Sequence, residues 1–327
     1  MPQINSVRPT STVTRFAASL IFLAALGPTG TASASEVTVL NMGASYFDSD
    51  RSSGSVSAPR QTAAAGVVSG IATIESLGSG GRGLASAGLG VLKSSSTASA
   101  VGRSSSNGGS DGFASQGRAR ADAVWYDVVT VVGAGLSGTG LANVRFFVDA
   151  PAGSVTNDGT AGLGGSFSGA ATADFFLRVN SVLFTFNTQA RLTHLGTDAA
   201  NTFTRVNNVN FAGSLGGCWD LAVPITFSQG FGLDAGITTS ASTLAGANSV
   251  VNSFADFGNS IYWGGITSVT LANGTSTTAF SALGSTGHDW SRSAVPVPEP
   301  STWLYMTLGL VAWAFMRRRL VMTGRAG

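Results

Sequence analysis

Polar and apolar residues alternate with a period of two along several segments of this 327-residue chain. In residues 118–132, Arg118, Arg120 and Asp122 alternate with alanines and then with larger apolar side chains. Such a period places one side of a β-strand in water and the other side in a core. The segment therefore predicts a half-buried strand.

Other runs rich in Val, Thr and Phe predict further strands at residues 141–149, 173–188, 201–211, 221–227, 231–243, 260–270 and 277–283. Asn157-Asp158-Gly159 and Asn273-Gly274 predict turns between such runs. The chain has no long amphipathic helical pattern. We therefore expect an all-β fold, an antiparallel β-sandwich of jelly-roll type, over residues 118–293.

The preceding segment, residues 35–117, is rich in Gly, Ser and Ala. This composition is typical of a flexible linker, and we expect part of the segment to be flexible. However, residues 89–93 are followed by alternating Ser and Ala, which also fits a strand of small residues. Both alternatives stay open at this point.

The N-terminal end has the order of a secretory signal peptide over residues 1–34. Arg8 and Arg15 precede an apolar run at residues 16–26, and small residues, Ala32 and Ala34, follow. Eleven apolar residues are too few for an ordinary membrane span of about 20. We expect export by the Sec machinery and cleavage by signal peptidase after Ala34.

The C-terminal end, residues 294–327, has a different organisation. It begins with a short stiff element made of Val297, Pro298, Glu299, Pro300 and Ser301. The two prolines fix backbone angles and remove amide donors, which favours an extended tether that a protease could bind. The uncharged residues 302–316 then predict a short transmembrane helix. The helix is followed by Arg317, Arg318 and Arg319, which the positive-inside rule places in the cytoplasm.

This order of a Pro-Glu-Pro element, a short helix and an arginine cluster resembles the PEP-CTERM sorting signal of exported bacterial proteins. The resemblance implies recognition by an exosortase, an integral-membrane protease, and a helix that anchors the protein until it is processed. It also implies a final location at the cell surface or in an extracellular matrix that contains exopolysaccharide.

The positive charge of the chain belongs to its two ends. Six of the 18 basic residues and one of the 16 acidic residues, Glu299, lie there, which leaves 12 basic against 15 acidic residues and a formal charge of −3 for the remainder. Nucleic-acid binding requires basic residues clustered on the functional domain, so we expect no nucleic-acid partner. Cys218 is the single cysteine, so no internal disulfide is possible. Its neighbours favour a small buried residue beside a turn, and pairing between chains is the alternative.

Several short motifs match catalytic patterns only in part. Residues 133–138 fit GxGxxG, but residues 139–143 are too few for the required helix, so a glycine-rich hairpin loop is favoured. Residues 108–112 fit GxSxG without the preceding strand that a nucleophile elbow needs. His288 and Asp289 would point to opposite faces of a strand. The sequence therefore predicts no enzyme activity and no cofactor.

A metal site is also not expected. Two histidines and one cysteine argue against a transition-metal centre. Asp48 and Asp50 offer oxygen ligands for calcium, but the later acidic ligand of an EF-hand loop is missing. A solvated acidic turn is the favoured interpretation.

Exposed aromatic residues offer the remaining binding possibility. In Trp125-Tyr126 and Tyr262-Trp263 one member of each pair must face outward if both are in strands. Trp263 and Tyr262 are therefore candidates for stacking on sugar rings, with burial under another element as the alternative. We expect a non-catalytic surface or matrix protein. A carbohydrate-binding module is the second hypothesis, and an extracellular hydrolase is the third.

Overall fold

A computed structural model describes residues 36–48, 52–57, 61–63, 67–76, 79–102, 115–148, 155–162, 165–195, 202–209, 217–294 and 313. The predicted signal peptide, with Ala32 and Ala34, lies outside the described residues. In the predicted sorting segment only Ala294 and Trp313 are described.

The described chain forms two β-sheets in which every strand pair is antiparallel. Sheet A contains β1 (Glu36–Asp48), β2 (Ser52–Ser57), β3 (Gln61–Ala63), β7 (Ser115–Val132), β10 (Ser166–Val179), β11 (Val182–Leu195), β12 (Thr202–Val209), β14 (Gly230–Ala245) and β17 (Ser281–Gly284). Sheet B contains β4 (Val67–Ser76), β5 (Ser79–Gly88), β6 (Val91–Gly102), β8 (Thr139–Val148), β9 (Val155–Ala161), β13 (Gly217–Thr226), β15 (Ser249–Leu271) and β16 (Ser276–Thr277). The predicted all-β antiparallel fold is confirmed.

The strand orders are β12-β11-β10-β14-β7-β1-β2 in sheet A and β13-β8-β15-β6-β5-β4 in sheet B. Burial alternates without interruption along β10 and along most of β7, so one face of each strand points into the interior. The inward residues of both sheets form one main core. The architecture is therefore that of two sheets packed face to face.

One end of this core is aromatic. Phe146 of sheet B lies 5.6 Å from Phe175 of sheet A, measured between ring centroids, and contacts Trp219 edge-on at 4.7 Å. Trp125 and Trp263 are also buried in this region. We call this part the aromatic end. Large rings there keep the sheets well separated.

Further along β7 the sheets approach so closely that only small residues fit. A Cβ added at Gly83 would lie 2.6 Å from the Arg120 carbonyl oxygen, and one at Gly117 would overlap the carbonyl oxygens of Gly80 and Ser99. Ser94 and Thr239 share a hydrogen bond of 2.7 Å between the sheets. We call this region, built around Gly81, Gly83 and Gly117, the thin end.

The thin end explains the Gly/Ser/Ala-rich composition of residues 35–117. Strands β1 to β6 all come from this segment; β1 pairs with β7, and β6 pairs with β15. The alternating Ser and Ala run is a strand, β6, as one of the two alternatives predicted. The sandwich therefore begins before residue 118, which corrects the predicted boundary. The small residues of β5 and β6 fill a narrow interior.

Local turns differ from the prediction in two places. Residues 173–188 form two strands, β10 and β11, because Asn180 adopts a left-handed conformation with φ of 55° and turns the chain. Asn157-Asp158-Gly159 lies inside β9, where Asn157 pairs with Ser253, so the predicted turn there is wrong. The turn at Asn273-Gly274 is confirmed, with φ of 86° at Gly274.

Candidate functional site

Residues 281–294, at the end of the described range 217–294, close the aromatic end and are called the C-terminal clasp. It begins with β17, which pairs with β7. Trp290 then inserts into the core and is 0% exposed. Its ring centroid lies 4.9 Å from that of Trp125 and 5.4 Å from that of Trp263. A segment at the edge of the domain thus supplies a central part of the core.

A buried carboxylate holds the clasp in place. Asp127 occupies an inward position of β7 and is 0% exposed. Its oxygens accept hydrogen bonds from Trp290 Nε1 at 2.6 Å and from Ser285 N and Oγ at 3.0 and 2.9 Å. The Val128 amide donates a further bond of 2.7 Å. These donors offset the cost of burying the charge.

The clasp is fixed up to its last residue. The Trp290 carbonyl accepts bonds from Trp263 Nε1 at 2.8 Å and from the Ile266 amide at 3.0 Å. The Ala294 amide donates to the Trp263 carbonyl at 2.7 Å. The hydrogen-bonded part of the clasp therefore extends to Ala294, which is three residues ahead of Val297 in the sequence.

A family model for the PEP-CTERM protein-sorting motif matches residues 296–319. The chain carries a PEP-CTERM sorting signal. This signal implies an exported protein that is sorted toward the cell surface through exosortase, a membrane protease. No curated protein and no solved structure matches the chain.

The PEP-CTERM match includes every residue predicted for sorting, which are Val297, Pro298, Glu299, Pro300, Ser301, Arg317, Arg318 and Arg319. All of them lie outside the described residues, as does the predicted helix at 302–316 apart from Trp313, which is helical. Among the described residues, no helix has the length and apolar character to cross a membrane.

His288 makes the clasp sensitive to pH. Burial against Trp290, 4.6 Å away between ring centroids, lowers the pKa of the imidazole, while Asp127 and Asp289 act in the opposite direction. The folded protein binds this proton less readily than the unfolded chain. The contribution of neutral His288 to the free energy of unfolding is therefore fully present above the ordinary pKa of about 6.5, and it is lost as the pH falls below that value.

We expect the melting temperature to fall as the pH decreases from about 7 to about 5, and to fall less in His288→Gln. Thermal unfolding followed by circular dichroism at several pH values measures this. His194→Gln, which leaves the clasp unchanged, is the matched control. Equal pH dependence in the wild type and His288→Gln would contradict the prediction.

The structure separates the two aromatic residues proposed for sugar stacking. Trp263 is 2% exposed and its indole N–H already donates to the Trp290 carbonyl, so its predicted role as a stacking residue is wrong. The reason is the strand alternation, which turns Trp263 into the core and Tyr262 to the outer face of sheet B. Trp125 and Tyr126 divide in the same way, with Trp125 inward.

Tyr262 belongs to a cluster that we call platform B, which consists of Tyr262, Phe147, Arg145 and Asp220. Phe147 lies directly opposite Tyr262 in the neighbouring strand. A Cβ at Gly264 would meet Phe147 Cε2 at 2.8 Å, so the ring leans over a glycine. Both rings are half-buried, which leaves part of each aromatic surface in contact with solvent.

An ion pair lies beside the rings of platform B. Arg145 Nε and Nη2 donate to the two oxygens of Asp220 at 2.6 and 2.8 Å. Hydrogen bonding to Arg145 lowers the pKa of the Asp220 carboxyl. The side chains are 40% and 55% exposed, so both can reach a ligand at the surface. Planar rings beside exposed donors and acceptors suit a hydroxylated ring compound.

The other motifs do not form a reactive site among the described residues. The loop at 133–138 connects β7 of sheet A to β8 of sheet B, so it crosses between the sheets and is not a hairpin within one sheet. Asp289 accepts hydrogen bonds from Ser291 and pairs with Arg292, so it does not act as the orienting carboxylate of His288. Among the described residues no group of metal-ligating side chains occurs. Residues 108–112 and Asp50 lie outside the described part.

Cys218 is exposed at the start of β13, which corrects the expectation of a buried residue. It lies opposite Phe147 on the outer face, because the inward positions of β13 begin with Trp219. The sequence did not single out Asp127, Phe147, Arg145 or Asp220. Gly264 beside Tyr262-Trp263 was the available signal, since a glycine within a strand often marks a covering aromatic ring.

Proposed function

We propose that this chain is a non-catalytic surface or extracellular-matrix protein whose β-sandwich associates with exopolysaccharide after delivery through its PEP-CTERM signal. The observation that carries the proposal is the motif match at residues 296–319. Export would begin through the Sec machinery, with signal peptidase cutting after Ala34. The helix at 302–316 would then hold the protein in the membrane until exosortase acts.

Platform B supports the binding part of the proposal. The partly exposed rings of Tyr262 and Phe147 suit the apolar faces of sugar rings. Arg145 and Asp220 add donors and acceptors that hydroxyl groups can use. This combination also favours a carbohydrate-binding module over a hydrolase, because it offers recognition without a paired acid and nucleophile.

Replacing Pro298, Glu299 and Pro300 with alanine should abolish processing and surface delivery in the native host. The change removes both fixed backbone angles and the only acidic residue of the element. Mass spectrometry of protein recovered from outside the cells, together with fractionation, measures the termini and the location. The double variant Arg292→Ala/Ser293→Ala, just upstream of the signal, is the control and should be delivered normally.

Unchanged processing and location in the triple variant would contradict the sorting part of the proposal. The association part is tested on the wild-type protein in the same fractions. We expect the delivered protein in the polysaccharide fraction of the washed matrix. Recovery only in the polymer-free supernatant would contradict association with exopolysaccharide.

A further inference from the structure

The outer face of sheet A carries a second cluster of the same composition, which we call platform A. It consists of Tyr126, Phe176, Arg178 and Asp234. Phe176 lies directly opposite Gly236, and a Cβ at that glycine would overlap the ring, with Cζ at 2.8 Å. Tyr126 lies beside Gly232, with Cε2 3.7 Å from the corresponding position. Both rings therefore cover glycines of β14.

An ion pair lies between these two rings, as in platform B. Arg178 Nε donates to Asp234 at 2.7 Å, and Asp234 is directly opposite Tyr126 in the next strand. The Arg178 side chain is 28% exposed and covers the carboxylate, which is 3% exposed. Burial raises the pKa of the Tyr126 phenol, so the hydroxyl stays protonated and can donate. Arg178 and Tyr126 thus present the polar groups of this face.

The two platforms lie back to back across the aromatic end. Phe175 precedes Phe176 and points inward, and Phe146 precedes Phe147 and also points inward. The centroids of Phe175 and Phe146 are 5.6 Å apart. Because packed sheets are separated by about 10 Å, the same part of the core supports both platforms on opposite surfaces.

The charge of each platform indicates the class of ligand. In both clusters one arginine is already neutralised by one aspartate, so neither platform has a net charge. A polyanion would have to compete with that aspartate for the guanidinium. An uncharged polymer of sugar rings would use the aromatic surfaces and the remaining hydrogen-bonding groups without breaking the ion pair.

We propose that the domain is bivalent, with platform A and platform B each binding one chain of a neutral polysaccharide, so that a single copy cross-links two chains. The inference rests on the proposed function, because it assumes association with exopolysaccharide. Beyond the proposed function, the inference assigns a second binding site, identifies the polymer as neutral and gives the protein a cross-linking role.

The test uses the mature protein from the native host with a Cys218→Ser background, which excludes bridging through a disulfide between two copies. The probe is neutral polysaccharide isolated from the matrix of that host and attached to beads. Co-sedimentation measures binding, and light scattering measures aggregation of the beads. We expect the background protein to bind the beads and to aggregate them.

Tyr262→Ala and Phe176→Ala should each lower the apparent affinity for the beads, because one of the two sites is lost, and abolish aggregation, and the double variant should lose binding. Phe254→Ala is the matched control, since Phe254 is 36% exposed on sheet B outside platform B. It should retain both properties. If Phe176→Ala does not fold, Phe176→Leu serves as the second variant of platform A, because it keeps an apolar side chain over Gly236 and removes the aromatic ring, with the same expected result.

The outcomes separate the two proposals. Absence of binding to the neutral polysaccharide by the background protein would overturn the bivalency and the neutral class of polymer, whereas the association part of the proposed function is decided by the fractionation of the washed matrix. Binding without aggregation would overturn bivalency alone. Aggregation by either single variant, with the protein monomeric by light scattering, would also overturn it.

Discussion

Trp290→Ala should lower the free energy of unfolding by about 3–5 kcal/mol, which is the usual cost of removing a large buried aromatic side chain. Trp290 is fully buried between Trp125 and Trp263, so its removal leaves a cavity lined by rings that cannot close around it. The change also removes one donor to the buried carboxylate of Asp127. The cavity and the lost hydrogen bond both lower the free energy of unfolding.

Denaturant unfolding followed by circular dichroism measures the loss. Trp290→Phe separates its two causes, because it retains most of the ring volume and removes only the donor. Phe254→Ala is the surface control and should change stability by no more than about 0.5 kcal/mol. If Trp290→Ala changed the free energy of unfolding by no more than this control does, the clasp would not contribute to the core.

Gly117→Ala should destabilise the protein by about 3 kcal/mol, at the upper end of the range for overpacking. The added methyl group would overlap the carbonyl oxygens of Gly80 and Ser99 in the facing sheet. These are backbone atoms within paired strands, so they cannot move aside as a flexible side chain would. The sheets would have to separate along the thin end.

The matched control is Gly232→Ala, where the nearest atom to the new Cβ is Tyr126 Cε2 at 3.7 Å, an ordinary contact. Both glycines lie in central strands of sheet A, so the pair differs mainly in the space available. We expect Gly232→Ala to be nearly neutral. If the two variants lost the same amount of stability, Gly117 would not be required for the close approach of the sheets.

The alternation along residues 118–132 predicted β7 well. One face of this strand contacts solvent and the other contacts the core, so polar and apolar residues alternate along its sequence. The same reasoning missed most of β1 to β6. Strands β5 and β6 are packed mainly through Gly, Ala and Ser, whose small side chains give little hydrophobic contrast. A thin sandwich interior and a flexible linker therefore have similar compositions.

The candidate binding residues show a second limit of sequence reasoning. Alternation required one of Tyr262 and Trp263 to be buried, but the assignment depended on the position of Trp290, which comes from a distant part of the chain. Phe176 was not predicted because its position over Gly236 arises from the pairing of β10 with β14. The sorting signal, a linear motif, was located in full from the sequence alone, whereas platform B was indicated only through Tyr262.

The clasp also has a consequence for the order in which the protein folds. Asp127 and Trp290 are separated by 163 residues, and contacts of such long range form slowly because the intervening chain must first be ordered. Under the proposed export through the Sec machinery, which proceeds from the N-terminus, Trp290 would cross the membrane after nearly all the strands. We therefore expect the core to remain open during translocation, and the residues that close it to emerge immediately before the segment that exosortase recognises.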